Sequence, residues 1–184
     1  MASIPGPETA ALLITADLVA ALRREFRLEW QGIHGAAHWA RVRHNGLLLA
    51  RLTGANSRVV EYFAFLHDVC REDDGHDPWH GPRAVGFALT IRARHIDLDK
   101  DEFALLVAAM EGHTSGRRHD DVTVCTCWDA DRLDLARVGI SPDPGRLCTA
   151  AARDPDTILR ASLSATNWVA RYFERLPPAW SVRA

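Results

Sequence analysis

Apolar positions recur at intervals of three and four residues through almost the whole chain, the period of helices that bury one face. After a short Pro-containing lead, Leu12, Leu13, Leu18, Val19 and Leu22 give residues 8–27 such a face. Residues 34–52 form a second helix that stops at Thr53-Gly54, glycine being a good C-terminal cap. Ser57 begins a third, which runs through Val59, Val60, Phe63, Ala64 and Leu66. The polar stretch 71–82 is broken by Gly and Pro and predicts a loop, with helix resuming over 83–94. Asp99 and Glu102 have capping-box spacing and open a helix over 100–112. A loop over 112–121 precedes a helix over 122–138, whose start Val122, Val124 and Thr126 leave ambiguous. Pro142, Pro144 and Gly145 turn the chain before a last helix over 155–174. The pattern predicts a single all-α domain over residues 1–184, with loops long enough to carry chemistry.

Composition changes this picture little. With 47% hydrophobic and 25% charged residues the chain is an ordinary globular sequence. A net charge of −2 supplies no bulk basic field, so no nucleic-acid partner is expected. The apolar stretch 10–21 is interrupted by Asp17, lacks a basic lead and is too short to span a bilayer. These features predict a cytoplasmic protein without a membrane partner. Cys125 and Cys127 form a C-x-C, but no second Cys/His pair stands nearby at zinc-finger spacing.

The histidines change it more. His34 and His38 are four apart, which places them on one face of the second helix. His67 and Asp68 adjoin at the end of a largely apolar helix, where burial makes an unpaired carboxylate expensive. His80 and His113 stand at loop-helix boundaries, each beside a glycine that allows close backbone approach. Asp131 and Asp134 are three apart on one helical face. A mixed imidazole and carboxylate set suits a divalent transition metal such as Mn, Fe, Co, Ni or Zn better than magnesium. Spacing alone leaves open which of these residues are ligands and which are hydrogen-bonded core residues or helix caps.

The order His…His-Asp…Asp resembles the HD superfamily of metal-dependent phosphohydrolases. HWARV (38–42) resembles the helix carrying that family's first histidine, and FLHDVCR (65–71) the helix carrying its defining doublet. DADRLDL (129–135) is similar to the segment with the last aspartate, and also to the corresponding stretch of guanosine tetraphosphate hydrolases. The three blocks lie within a core of about residues 34–140, and His76-Asp77 repeats the dipeptide in the expected loop. The resemblance implies a single HD-type helical bundle with His38, His67, Asp68 and Asp131 as metal ligands. The implied activity is hydrolysis of a phosphate ester or anhydride of a small molecule, plausibly a nucleotide, by metal-activated water.

Some branches of that family carry Glu three residues after the doublet's Asp. Here the position is Arg71, more like branches with a Lys that contacts substrate phosphate. Glu72 and Asp73 remain candidates to act on the water. His80 and His113 are similar in order to the extra histidines of binuclear members, in which the doublet's Asp bridges two metals; phosphate binding is the other role open to them. His34, Asp134 and Arg132 are expected to support the ligands. Trp39, Trp79 and Trp128 flank the expected site as core or lid residues, or as a wall for a nucleobase. Two further functions fit the same residues: a binuclear iron oxygenase, and a catalytically silent nucleotide-binding module.

Overall fold

The computed structural model describes residues 13–167, and among these every regular element is helical. Thr15 accepts a hydrogen bond from Leu18 N and caps α1 (Ala16–Glu25), so this helix begins well after the start expected at residue 8. Gly54, at φ 76°, closes α2 (Ala36–Thr53) as expected. Asn56 caps α3 (Ser57–Leu66) by accepting from Arg58 N and Val59 N.

α4 (His80–His95) starts three residues before the expected position. Gly81 and Pro82 read as breakers, yet both lie in the first turn, where the missing N–H of proline costs no helical bond. The capping box between Asp99 and Glu102 opens α5 (Lys100–Gly112) as the spacing predicts. The helix expected over 122–138 divides into α6 (Val122–Arg132) and a 3-10 segment, Leu133–Val138. A second 3-10 turn (Pro144–Arg146) and the short α7 (Ala150–Arg153), which the pattern did not predict, lead to α8 (Pro155–Asn167). The expected continuation of α8 to residue 174 lies outside the described residues.

α2 is the centre of the assembly and packs chiefly against α3 and α6; α3 also meets α5 and α6, and α4 lies on α5. α3 is apolar on nearly every side, and Val59, Phe63, Ala64 and Leu66 are fully buried. One continuous apolar cluster joins α1 to α6, and a smaller one seats α7 and α8 on Leu49 and Leu133. Asp129, three-quarters of the way along α6, is buried and polar, and accepts from Cys148 N, Thr149 N and Thr149 Oγ1 at 2.6, 2.8 and 2.8 Å. It thereby fastens the start of α7 to the core.

The close approach of α4 to α5 depends on Gly81: a Cβ there would stand 2.4 Å from the Met110 carbonyl oxygen. Gly81→Ala is therefore expected to cost roughly 1–3 kcal/mol through overpacking. The Tm should fall by about 2–4 °C per kcal/mol for a chain of this size. An unchanged Tm in a thermal melt would show that the two helices do not meet there.

Candidate metal centre

Helix ends deliver the polar residues to one place. His38 lies in the first turn of α2, His67 caps the C-terminus of α3, His80 opens α4, His113 caps α5 and Asp131 stands at the last turn of α6. His38 and His67 are wholly buried, and Asp68, His80 and His113 nearly so. Three groups form, each with donor atoms within 4.8 Å of one another: His34, His38 and Asp68; His38, His67 and Asp131; Asp68, His80 and His113.

The hydrogen bonds fix the tautomer of each imidazole. A carbonyl oxygen can only accept, so the nitrogen facing it carries the proton. His67 Nδ1 faces the Phe63 carbonyl at 3.2 Å, His113 Nδ1 that of Met110 at 2.7 Å, and His80 Nδ1 that of Asp77. His38 Nδ1 donates to Asp134 Oδ2 at 2.7 Å. Four Nε2 lone pairs are left pointing at one another and at carboxylates. His38 Nε2 is 3.1 Å from His67 Nε2, and His80 Nε2 is 2.6 Å from His113 Nε2. Two lone pairs at such distances repel unless a cation lies between them.

Around His38 and His67 the spacing fits a cation better than a shared proton, whereas the 2.6 Å between His80 and His113 is closer than two donors of one ion normally stand. Asp68 Oδ2 is 3.5 Å from His38 Nε2 and 3.6 Å from His67 Nε2, and Asp131 Oδ1 is 3.4 and 3.8 Å from the same atoms. These gaps are long for hydrogen bonds. Donors bound to one ion at about 2.1 Å stand roughly 3.0 Å apart across a right angle and about 3.4 Å apart across a tetrahedral one. The other oxygen of Asp68 faces the second pair, 3.2 Å from His80 Nε2 and 3.6 Å from His113 Nε2. Asp68 thus stands between two donor sets, one on each carboxylate oxygen.

The electrostatics agree. Burial pushes the His67 imidazole down to about 3, so it stays neutral. Burial alone would raise Asp68, yet His67 opposite it and the surrounding imidazoles hold its carboxyl well below the usual range. Asp131 is lowered in the same way, burial being outweighed by His67 and His38. For His113 burial is outweighed by Asp68, which raises it, so a proton and a cation compete for that nitrogen.

Asp134 supports the centre through His38. Arg41 Nε donates to Asp134 Oδ1 at 2.7 Å and Arg41 Nη2 to Oδ2 at 3.0 Å, a buried bidentate pair. The 3-10 geometry after Arg132 brings positions three apart into line, so Asp131 and Asp134 address opposite nitrogens of His38. Arg132 instead donates to the carbonyl oxygens of Arg146, at 2.8 Å, and Gly116. His34 lies before α2, which Gly35 caps, and not on its face as the spacing suggested. It nevertheless reaches the centre, with Nδ1 2.9 Å from Asp68 Oδ2 and Nε2 3.2 Å from the Asp74 carbonyl.

Arg71 enters the site. Its Nη1 is 3.5 Å from Asp68 Oδ1, while Nε and Nη2 donate to the carbonyls of Asp73 and Gly75. Glu72 and Asp73 do not enter it: Glu72 pairs with Arg27 at 3.1 Å, and Asp73 accepts from Gly75 N in an exposed turn. The loop's other doublet divides. His76 is exposed, whereas Asp77 accepts from Glu72 N and Arg83 and its carbonyl orients His80. No cysteine joins any of the donor groups among the described residues.

Above Asp68, Asp131, His80 and His113 opens a cavity of about 450 Å³, also lined by Arg71, Arg132 and Arg137. That is the size of a small-molecule pocket. None of Trp39, Trp79 and Trp128 lines it: Trp39 and Trp128 are core residues, and Trp79 is 68% exposed on the surface. No described helix is long and apolar enough to cross a membrane. Compared with models of protein families, with curated proteins and with solved structures, the chain matches none.

Three substitutions test the centre. Asp68→Ala removes an oxygen from both donor sets and is expected to abolish uptake of manganese while helical circular dichroism stays near wild type. His76→Ala, in the exposed doublet, should take up the metal normally; the opposite pattern would assign the wrong pair. Asp134→Asn retains the side-chain volume but weakens the anchor of His38, and metal affinity should fall about 10–100-fold in a chelator competition. Undiminished affinity would remove His38 from the ligand set.

Proposed function

We propose that the chain is an HD-type metal-dependent phosphohydrolase acting on a small phosphorylated molecule, a nucleotide among the candidates. The observation that carries this reading is the bridging placement of Asp68 between two imidazole pairs, on the floor of an arginine-lined cavity. The order of the ligands along the chain adds the sequence resemblance. His38, His67, Asp68 and Asp131 would hold one divalent ion, and His80 and His113 with Asp68 a second. Such an ion lowers the pKa of a coordinated water and offsets charge on a phosphoryl group.

The chain's own residues account for the rest. Arg71 is held by two loop carbonyls and presents its remaining edge beside Asp68, where it can grip a phosphoryl oxygen. Arg137 is anchored to the Ile33 carbonyl at 2.7 Å and adds positive charge at the other side of the cavity. With Glu72 and Asp73 turned away, the only lining carboxylate outside the centre among the described residues is Asp143, which accepts from Gly145 N. On this reading water activation rests on the centre itself. The same bridged centre also suits a binuclear iron oxygenase, and metal content separates the two readings.

The test is release of phosphate and pyrophosphate from a panel of nucleotides and phosphomonoesters with Mn, Co, Ni, Mg or no metal. Metal-dependent release that disappears in Asp68→Ala is the expected result. Arg71→Ala should raise KM for the substrate by about tenfold or more while leaving metal affinity within about twofold. No release from any substrate, with iron bound after aerobic purification, would shift the assignment to the oxygenase.

A further inference from the structure

Beside the cavity of the metal centre lies another of about 560 Å³, and the two share Thr114, Arg132 and Arg146. One wall is the loop after α5, with Arg117 and Arg118; the other is the turn carrying Gly145 and Arg146. Arg132 ties the walls together through the carbonyls of Gly116 and Arg146. Four arginines line this space and no Asp or Glu does. Elsewhere arginines meet carboxylates, as Arg27 meets Glu72 at 3.1 Å, Arg43 meets Glu61 at 2.6 Å and Arg58 meets Asp97 at 3.1 Å. Among the described residues no ion pair forms at Arg117, Arg118, Arg132 or Arg146, and Arg132 is held by the carbonyl oxygens of Gly116 and Arg146, the Cys148 sulfur and the Trp128 ring.

This concentration is not a consequence of bulk charge, because the chain as a whole carries −2. Four guanidinium groups gathered in one concavity repel one another and focus a positive potential into it, which an anion would relieve. The guanidinium fork suits the oxygens of a phosphate, to which it can donate two bonds at once. The compartment also begins within one side chain of the metal centre: Thr114 Oγ1 is 3.3 Å from His80 Nε2 and 3.5 Å from His113 Nε2, and Thr114 lines both cavities.

We propose that this compartment, walled by Arg117, Arg118 and Arg146, binds a second phosphate or a polyphosphate chain of the substrate. It rests on the phosphohydrolase reading above and narrows the substrate class to small molecules phosphorylated at two places or carrying an extended polyphosphate. One phosphoryl group lies at the His/Asp centre and the other among the arginines. A simple phosphomonoester fills only the first.

The experiment is calorimetric titration of inorganic tripolyphosphate, with orthophosphate for comparison, into the chelator-treated full chain at physiological ionic strength. Arg117→Ala/Arg118→Ala and Arg146→Ala are titrated alongside; these side chains make no hydrogen bond among the described residues, so the fold should persist, as circular dichroism will check. Wild type should bind tripolyphosphate at least about tenfold more tightly than orthophosphate. Each variant should lose about tenfold or more of that affinity, as expected for a lost charge-assisted hydrogen bond, with manganese uptake unchanged. Equal tripolyphosphate affinity in wild type and both variants would overturn the proposal, as would no binding by wild type. Because the titration is made without metal, its result is separate from turnover. Arginine-dependent binding by a chain that hydrolyses nothing would sink the phosphohydrolase reading and leave this site standing. Hydrolysis by a chain whose variants bind tripolyphosphate undiminished would do the reverse.

Discussion

Asp68 and Asp131 place two carboxylates against imidazoles in the interior, that of His67 kept neutral by burial, and neither has a bidentate arginine partner of its own. Burying an ionised carboxylate without a partner costs several kcal/mol even after the protein relaxes. Arg41, three residues after His38 on α2, is committed to Asp134 instead. That allocation is informative. Asp134 is neutralised so that it can orient His38, whereas Asp68 has only Arg71 Nη1, at 3.5 Å, and Asp131 has no arginine ion pair among the described residues, which leaves both carboxylates able to meet a cation. His38 and His67 add donors to them, their Nδ1 protons being engaged by Asp134 and by the Phe63 carbonyl.

The means of orientation is local for some ligands and long-range for others, and this decided what the sequence could reveal. His67 and His113 each turn back onto a carbonyl of their own helix, three or four residues away, so their position at a helix end already implies the tautomer. His38 depends on Asp134, nearly a hundred residues later, and only the resemblance to a known ligand order connected α2 with that segment. The helices themselves were legible where a cap and an apolar period agreed, as at Asn56, Asp99 and Gly54. They were misjudged where a breaker sat in a first turn, as Pro82 does, or where the period concealed a change to 3-10 geometry after Arg132.

His34 and Glu72 show the limit from both sides. The i,i+4 spacing of His34 and His38 suggested a shared helical face, but Gly35 is the N-cap, and His34 reaches Asp68 from the preceding turn. Glu72 stands four residues after Asp68, yet the chain leaves helical geometry after α3 and its carboxylate goes outward to Arg27. In both cases the deciding factor was backbone direction in a loop, which no hydrophobic period specifies. The arginine compartment was invisible for the same reason: Arg117, Arg118 and Arg146 line one cavity between two loops that Arg132 joins through their carbonyls.

The helix termini give a reason why both kinds of ligand can share the site. α3, α5 and α6 arrive by their C-terminal ends, which carry partial negative charge and favour a cation. α3 and α5 have no basic residue in the last turn, unlike α1, α2 and α4, so that charge is not met by a side chain of their own. α2 and α4 arrive by their N-terminal ends, which carry partial positive charge and favour an anion. His80 stands at the start of α4, on the cavity wall beside Arg71, where such an end complements an anion. The backbone fields thus separate into C-terminal ends beside His67, His113 and Asp131 and N-terminal ends beside His38 and His80. A single polarity would suit a cation or an anion, but not the two together.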